Sequence, residues 1–95
     1  MAKYRLSNHA KEDLIRIHHY GAQKFGMSQA DKYFDSFFEQ FDSIAQQPFS
    51  FKSVDYIRKG YRRCVCGIDN IYFRVNENVV EIMAIVGRQD LNGIL

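Results

Sequence analysis

The sequence predicts an α+β domain with the element order β-α-α-β-β-β. Between Ser7 and Pro48, apolar residues recur every three or four positions, which is the period of an amphipathic helix. Between Tyr61 and Val86 the period falls to two, which is the period of a strand. Helices that are followed by antiparallel strands typically pack as a hairpin on one face of a small, mainly antiparallel sheet.

Composition limits the classes of protein to which the chain can belong. A length of 95 residues leaves room for one domain, which we expect to span residues 1–95. With 46% apolar residues, among them eight Phe and six Tyr, the chain can build a core and is not disordered. No apolar run approaches the roughly 18 residues of a membrane span, and no signal sequence is recognisable. We therefore expect a cytoplasmic protein with no membrane partner.

The first half of the chain is predicted to form a strand and a helical hairpin. Residues 3–6 alternate as in a strand, which must pair at the edge of the sheet. Ser7 is a typical N-cap of the first helix, and Gly26 ends it. A capping box in residues 28–31 begins the second helix, and Pro48 ends it. The second helix has a dense apolar face that we expect in the core: Ala30, Tyr33, Phe34, Phe37, Phe38, Phe41, Ile44 and Ala45.

The second half is predicted to form three strands, at residues 61–66, 71–75 and 79–86. The last of them contains one charged residue, Glu81, so we expect this strand inside the sheet. The face of the sheet opposite the helices is expected to be poorly covered. Alternation would place one set of side chains of the last strand on one face and the second set on the other: Val80, Ile82, Ala84 and Val86, against Val79, Glu81, Met83 and Ile85.

Positive charge concentrates just before and within the first of these strands. The net charge of the whole chain is only +2, which does not indicate sequence-specific nucleic-acid binding. The cluster is either a solvated strand edge or a site for an anionic partner, an acidic protein segment or phosphate. Only Asp55 opposes its five members: Lys52, Arg58, Lys59, Arg62 and Arg63.

Residues with catalytic or metal-binding chemistry are few. Cys64 and Cys66 share one face of a strand, where a disulfide between them would be strained, so we expect free thiols. His9, His18 and His19 lack the spacing of metal ligands on a helix. No glycine-rich phosphate loop is present. We therefore expect neither a metal nor a cofactor.

Motifs in three regions of the chain give it a resemblance to a known family. Residues 6–14 resemble the "S-x-x-A-x-x-D-L" signature, and residues 57–63 resemble the "I-R-x-G-Y-R" signature, of the ParE/RelE superfamily of bacterial toxins from toxin–antitoxin operons. Residues 72–75, residues 80–86 and the tail that follows are also similar to this superfamily. The resemblance covers nearly the whole chain.

The ParE branch of the superfamily implies a toxin of a type II toxin–antitoxin system. Such a toxin inhibits DNA gyrase by stalling it with cleaved DNA and has no hydrolytic activity. A cognate ParD-like antitoxin neutralises it, with an acidic segment that wraps the toxin and a helix laid along the helical hairpin. By this resemblance, the residues expected to bind the antitoxin are Leu14, His18, Arg58, Lys59, Tyr61, Arg62 and Arg63, and those expected to affect gyrase are Arg74, Arg88, Gln89, Asp90 and Leu91.

Two other functions stay open. The RelE branch implies an endoribonuclease that cuts mRNA on the ribosome. Its mid-strand arginine corresponds to Cys66 here, and the tail keeps Arg88 but contains no Tyr. A family member that only binds its antitoxin is the other alternative. At the level of single residues, Arg62 or Arg74 could simply pair with Glu81 across strands.

Overall fold

The computed structural model describes residues 3–87, and in these it has the predicted α+β architecture. One additional strand, β2, precedes the three that were predicted, and it is only two residues long. The elements are β1 (Lys3–Leu6), α1 (Asn8–Phe25), α2 (Met27–Gln46), a short 3-10 helix (Pro48–Ser50), β2 (Lys52–Ser53), β3 (Arg62–Cys66), β4 (Asp69–Asn76) and β5 (Val79–Gly87).

The strands form a five-stranded sheet in the order β1-β5-β4-β3-β2. Strand β1 lies at one edge and pairs in parallel with β5, and all other pairs are antiparallel. This confirms the prediction that the N-terminal strand is an edge strand and that the last strand is internal. A two-residue turn, in which Glu77 and Asn78 both have positive φ, joins β4 to β5.

The helix boundaries confirm the predicted caps with one exception. Ser7 caps α1, because its Oγ accepts a hydrogen bond from Ala10 N at 3.0 Å. Gly26 ends α1 with a φ of 93°, as predicted, but it also serves as the N-cap of α2. The predicted capping box is therefore wrong, because Ser28 already lies inside the second helix.

The main core lies between the helical hairpin and the sheet. Its largest members, including Phe37, Phe41, Phe73 and Ile82, have no exposed surface. Cys64 and Cys66 both point into this core and are free thiols, as predicted. Most of the apolar face predicted for the second helix is thus confirmed as core.

The signature around residues 7–14 has a structural explanation. Strand β1 covers the edge of β5 only as far as Ile82, and beyond that point α1 takes over. Ser7 Oγ donates to Met83 O at 3.0 Å, and Asp13 Oδ2 accepts from Ile85 N at 2.9 Å. The side chains of Ser7, the N-cap of α1, and of Asp13, within α1, therefore satisfy backbone groups that a longer edge strand would have paired.

The outer face of the sheet, which is the face turned away from the helices, is better covered than predicted. Residues 54–61 fold back across it, and this loop is closed by a hydrogen bond of 2.8 Å from Val54 N to Tyr61 O. The expectation of a poorly covered face is wrong for this half of the sheet. The loop and the sheet build a second small core there: Val54, Tyr61, Tyr72, Ala84 and Val86.

The strict alternation predicted for the last strand is also wrong. Tyr72 pairs with Ala84 but Phe73 pairs with Ile82, so Met83 forms a bulge. The extra residue inverts the alternation after Met83. As a result Ile85 joins the main core, whereas Ala84 belongs to the outer face.

None of the helices described is both long and apolar enough to span a membrane.

Candidate functional site

One end of the sheet gathers arginines that are far apart in sequence. Glu81 of β5 pairs with Arg5 of β1 on one side and with Arg74 of β4 on the other. Strand β3 begins at the same end, where Arg62 pairs with Phe73. We call this region the basic end of the sheet and define it by Arg5, Arg58, Lys59, Arg62, Arg63 and Arg74.

A shared carboxylate holds Arg5 and Arg74 in place. Arg74 Nε donates to Glu81 Oε1 at 2.7 Å, while Arg5 donates to Oε2 through Nε at 2.9 Å and through Nη2. The Glu81 side chain is 11% exposed, against 60% for Arg5 and 45% for Arg74. The hydrogen bonds from Arg5 and Arg74 lower the pKa of Glu81, and the bond to Glu81 raises the pKa of Arg74. Cross-strand pairing of Arg74 with Glu81 is thus confirmed.

Arg62 does not reach Glu81. Its Nη1 donates to Phe51 O at 2.7 Å, and its guanidinium lies 5.1 Å from the centre of the Phe49 ring. Phe49 is 69% exposed, so the stacked pair is open to a partner. The Arg62–Phe49 pair and Lys59 border a shallow groove of about 390 Å³ at the basic end of the sheet.

The basic segment of residues 52–63 has no acidic ion-pair partner among the residues that the structure describes. Asp55 is the acidic residue of this segment. It accepts a hydrogen bond from Gly60 N at 2.8 Å, so its carboxylate stabilises the loop backbone. Lys52 lies directly opposite Arg63 in the pairing of β2 with β3, and like charges in such positions repel. Within residues 3–87, no ion pair involves any base of this segment. Its positive charge is therefore available to an anion from outside.

Two of the residues expected to bind the antitoxin are buried. Leu14 is 3% exposed and belongs to the main core, and Tyr61 is 5% exposed beneath the ring-stacked Arg58. Their side chains therefore contribute little to the surface of the chain. Apolar periodicity in the sequence could not distinguish a residue of the core from a residue that contacts a partner. His18 lies between the two helices, where its Nε2 is 2.8 Å from Asp31 Oδ1.

The residues expected to affect gyrase do not all lie in one region of the sheet. Arg88, Gln89, Asp90 and Leu91 lie outside the described residues. The strand leading to them ends at Gly87, which pairs with Asp69. Glu81, the partner of Arg74, is six residues earlier, roughly 20 Å along the strand. Arg74 therefore belongs to the basic end and not to the place from which the tail departs.

The two thiols are held away from solvent. Cys64 Sγ lies 3.3 Å from Gln40 Oε1, and Cys66 Sγ lies 3.6 Å from Ser36 Oγ. Burial raises the pKa of Cys64 to about 11 and also raises the pKa of Cys66. Neither thiol is placed to act as a nucleophile. In the part of the chain that the structure describes, no group of side chains could hold a metal ion.

Sequence reasoning missed Arg5 and the central position of Glu81. Alternation shows that Arg5 faces away from the core, but it does not show which strand lies beside β1. The parallel register, in which Arg5 is opposite Glu81, is a tertiary feature.

Comparison with known proteins identifies the family to which the chain belongs. Residues 4–91 match the model of the family described as "ParE toxin of type II toxin-antitoxin system, parDE". The chain belongs to the ParE toxin family. As a ParE toxin it is the toxin component of a type II toxin–antitoxin system, and the resemblance read from the sequence is confirmed.

Relatives of this ParE toxin match it over most of their length. Toxin ParE1 of Caulobacter vibrioides is 36% identical over 92 residues, which are 97% of this chain and 94% of the relative. Toxin ParE1 of Mycobacterium tuberculosis is 27% identical over 86 residues, 90% and 88% of the two chains. A solved structure, "Chromosomal ParDE TA system from P. aeruginosa", has the same fold, with a TM-score of 0.81, 20% identity, and coverage of 92% of this chain and 96% of that one.

Proposed function

We propose that this ParE-family toxin inhibits DNA gyrase by binding it and stalling it with cleaved DNA, and that a ParD-like antitoxin neutralises the toxin. The observation that carries the proposal is the family match, which extends over residues 4–91. The toxin acts as an inhibitor protein and catalyses no reaction of its own.

The environment of Cys66 supports inhibition without catalysis. In the ribonuclease branch that the sequence also resembles, this position corresponds to an arginine that stabilises charge in the transition state. Here it is a thiol that is 5% exposed, faces the main core and has a raised pKa. Arg74, on the neighbouring strand, is already bound to Glu81. The described residues thus favour a binding protein over a ribonuclease.

The basic segment supports an acidic antitoxin segment as partner. Arg58 and Lys59 are exposed, and neither has an ion pair within residues 3–87. The exposed Phe49 ring beside Arg62 adds an apolar contact to this cationic groove. An acidic chain bearing one apolar side chain would match both features and relieve the repulsion between Lys52 and Arg63.

The helical hairpin offers a second surface for the same antitoxin. Ile15 is 62% exposed beside His18 and Phe34, where the two helices leave a groove of about 270 Å³ with an apolar lining. An antitoxin helix with an apolar face would bury Ile15 there. We assign gyrase contact to the tail, with Arg88, Gln89, Asp90 and Leu91 as the candidate residues.

A supercoiling assay tests the proposed target. Purified toxin, freed of antitoxin, is added to gyrase, ATP and relaxed plasmid. We expect loss of supercoiling and an accumulation of linear plasmid that is covalently linked to gyrase. Unchanged supercoiling at a large molar excess of folded toxin would contradict the proposal. In that case, cleavage of mRNA on programmed ribosomes would identify a ribonuclease, and the absence of any growth defect on expression would identify a protein that only binds its antitoxin.

A further inference from the structure

The two layers of the molecule carry opposite charge. Helices α1 and α2 contain four basic and six acidic residues, a net charge of −2. The rest of residues 3–87 contains eight basic and four acidic residues, a net charge of +4. A polyanion would therefore be attracted to the sheet side and repelled from the helical side.

We propose that Arg5 and Arg74, fixed by Glu81 on the outer face of the sheet, form a contact for the phosphate backbone of duplex DNA. The contact goes beyond the inhibition of gyrase proposed above, because it requires only the toxin and DNA. It carries no sequence information, since phosphate contacts position a protein on DNA without reading bases.

The geometry at Glu81 leaves donors free for phosphate. Within residues 3–87, Arg74 is bonded through Nε alone, so both of its terminal nitrogens can donate to an anion. Among the same described residues, Arg5 is bonded through Nε and Nη2, which leaves Nη1. Because one carboxylate holds both arginines, their guanidinium groups are already oriented when a phosphate arrives, and less side-chain entropy is lost on binding.

The surroundings of the two arginines fit a nucleic-acid backbone better than a protein partner. A protein interface needs apolar anchors at its centre, whereas a phosphate backbone needs cations. On the outer face, Tyr72 and Ala84 are already buried beneath the loop of residues 54–61. None of the large apolar residues exposed within residues 3–87 lies on β1, β4 or β5: they are Ile15, Tyr20, Phe25, Met27, Phe49, Tyr56, Val65 and Ile68.

Fluorescence anisotropy with a labelled 20-base-pair duplex tests the proposal. The full-length toxin is titrated at several salt concentrations, and Arg74→Gln is compared with Lys32→Gln. Lys32 is exposed on the acidic helical layer, so the control removes the same charge elsewhere. We expect Arg74→Gln to weaken binding about tenfold at 50 mM salt and to reduce the salt slope by about 1. Lys32→Gln should leave both quantities unchanged.

Arginine side-chain NMR of the unmodified toxin provides a test that does not depend on the folding of a variant. The Nε–Hε signals of Arg5 and Arg74 should shift when the duplex is added, and the signal of Arg16 on α1 should not. Equal effects of Arg74→Gln and Lys32→Gln, or unshifted Arg5 and Arg74 signals, would overturn the proposal. Binding of a polyglutamate peptide at these arginines without binding of the duplex would also overturn it, in favour of an acidic protein partner.

Discussion

Glu81 determines how the outer face of the sheet is organised at the level of single residues. Both of its carboxylate oxygens accept hydrogen bonds from arginines, one on each neighbouring strand. The network therefore links β1, β5 and β4 side by side, and it fixes Arg5 and Arg74 toward solvent. Strand β1 is only four residues long, and the bond from Arg5 adds to its pairing with β5 and to the packing of Tyr4 and Leu6 on the main core.

Replacing Glu81 by Gln should destabilise the protein by about 1 kcal/mol at pH 7, a value that allows for the solvent exposure of both arginines. The folded state lowers the pKa of Glu81, so its contribution is fully present above the unfolded value of about 4.3 and is lost as the pH falls through the folded value. The difference in unfolding free energy between the wild-type protein and Glu81→Gln, measured by urea denaturation, should therefore shrink below pH 4.

The exposed Glu77 in the turn provides the matched control for this experiment. Glu77→Gln should change stability little at any pH. A stability difference for Glu81→Gln that stays constant from pH 7 to pH 3 would show that the ion pairs with Arg5 and Arg74 do not stabilise the fold.

At the scale of elements, α1 completes the edge of the sheet that β1 leaves open. Asp13 is 7% exposed, and its carboxylate accepts from the buried Ile85 N–H just beyond the bulge at Met83. Ser7 and Asp13, six residues apart, therefore both bond to the bulged strand β5 and complete its edge.

Asp13→Ala should cost about 2 kcal/mol of unfolding free energy, because it leaves the N–H of Ile85 without its charged acceptor. Hydrogen exchange at the Ile85 amide should become faster than at neighbouring amides of β5. The adjacent and exposed Glu12 supplies the control, since Glu12→Ala should alter neither quantity. Equal stability of the two variants would contradict this role for Asp13.

The elements differ in how far the sequence could predict them. The helices and the three long strands follow from their periodicity and caps, such as the Ser7 N-cap. Strand β2 has two residues, too few to show any period. The bulge at Met83 is hidden because Ala84 and Ile85 are both apolar, so either alternation fits the sequence. The basic end depends on the parallel pairing of β1 with β5, which no local pattern contains.

At the scale of the whole molecule, a basic sheet side opposes an acidic helical side. The separation gives each predicted partner its own place: the acidic antitoxin segment on the groove near Arg62, the antitoxin helix on the hairpin, and gyrase at the tail. Arg74 lies near the first of these and roughly 20 Å of strand away from the start of the tail.

Reversing two charges in the basic segment should weaken antitoxin binding. The double variant Arg58→Glu, Lys59→Glu changes exposed loop side chains and would repel an acidic segment. We expect its Kd for a ParD-like antitoxin to rise about 100-fold, or about 2.7 kcal/mol, in calorimetric titrations. The matched variant Lys3→Glu, Lys24→Glu changes two exposed residues outside both proposed antitoxin surfaces and should bind within about threefold of wild type. Equal Kd values for the two variants would refute the assignment.

The most direct test of the proposed inhibition of gyrase through the tail is a titration of gyrase cleavage complexes with three forms of the toxin. These are the wild type, the tail variant Arg88→Ala, Asp90→Ala, Leu91→Ala, and the basic-segment variant Arg58→Glu, Lys59→Glu. We predict that the wild type and the basic-segment variant trap cleaved plasmid at similar concentrations, whereas the tail variant requires at least about tenfold more, a loss of about 1.4 kcal/mol. The absence of cleaved plasmid with all three folded proteins would contradict gyrase as the target. Full activity of the tail variant would contradict the tail as the gyrase contact.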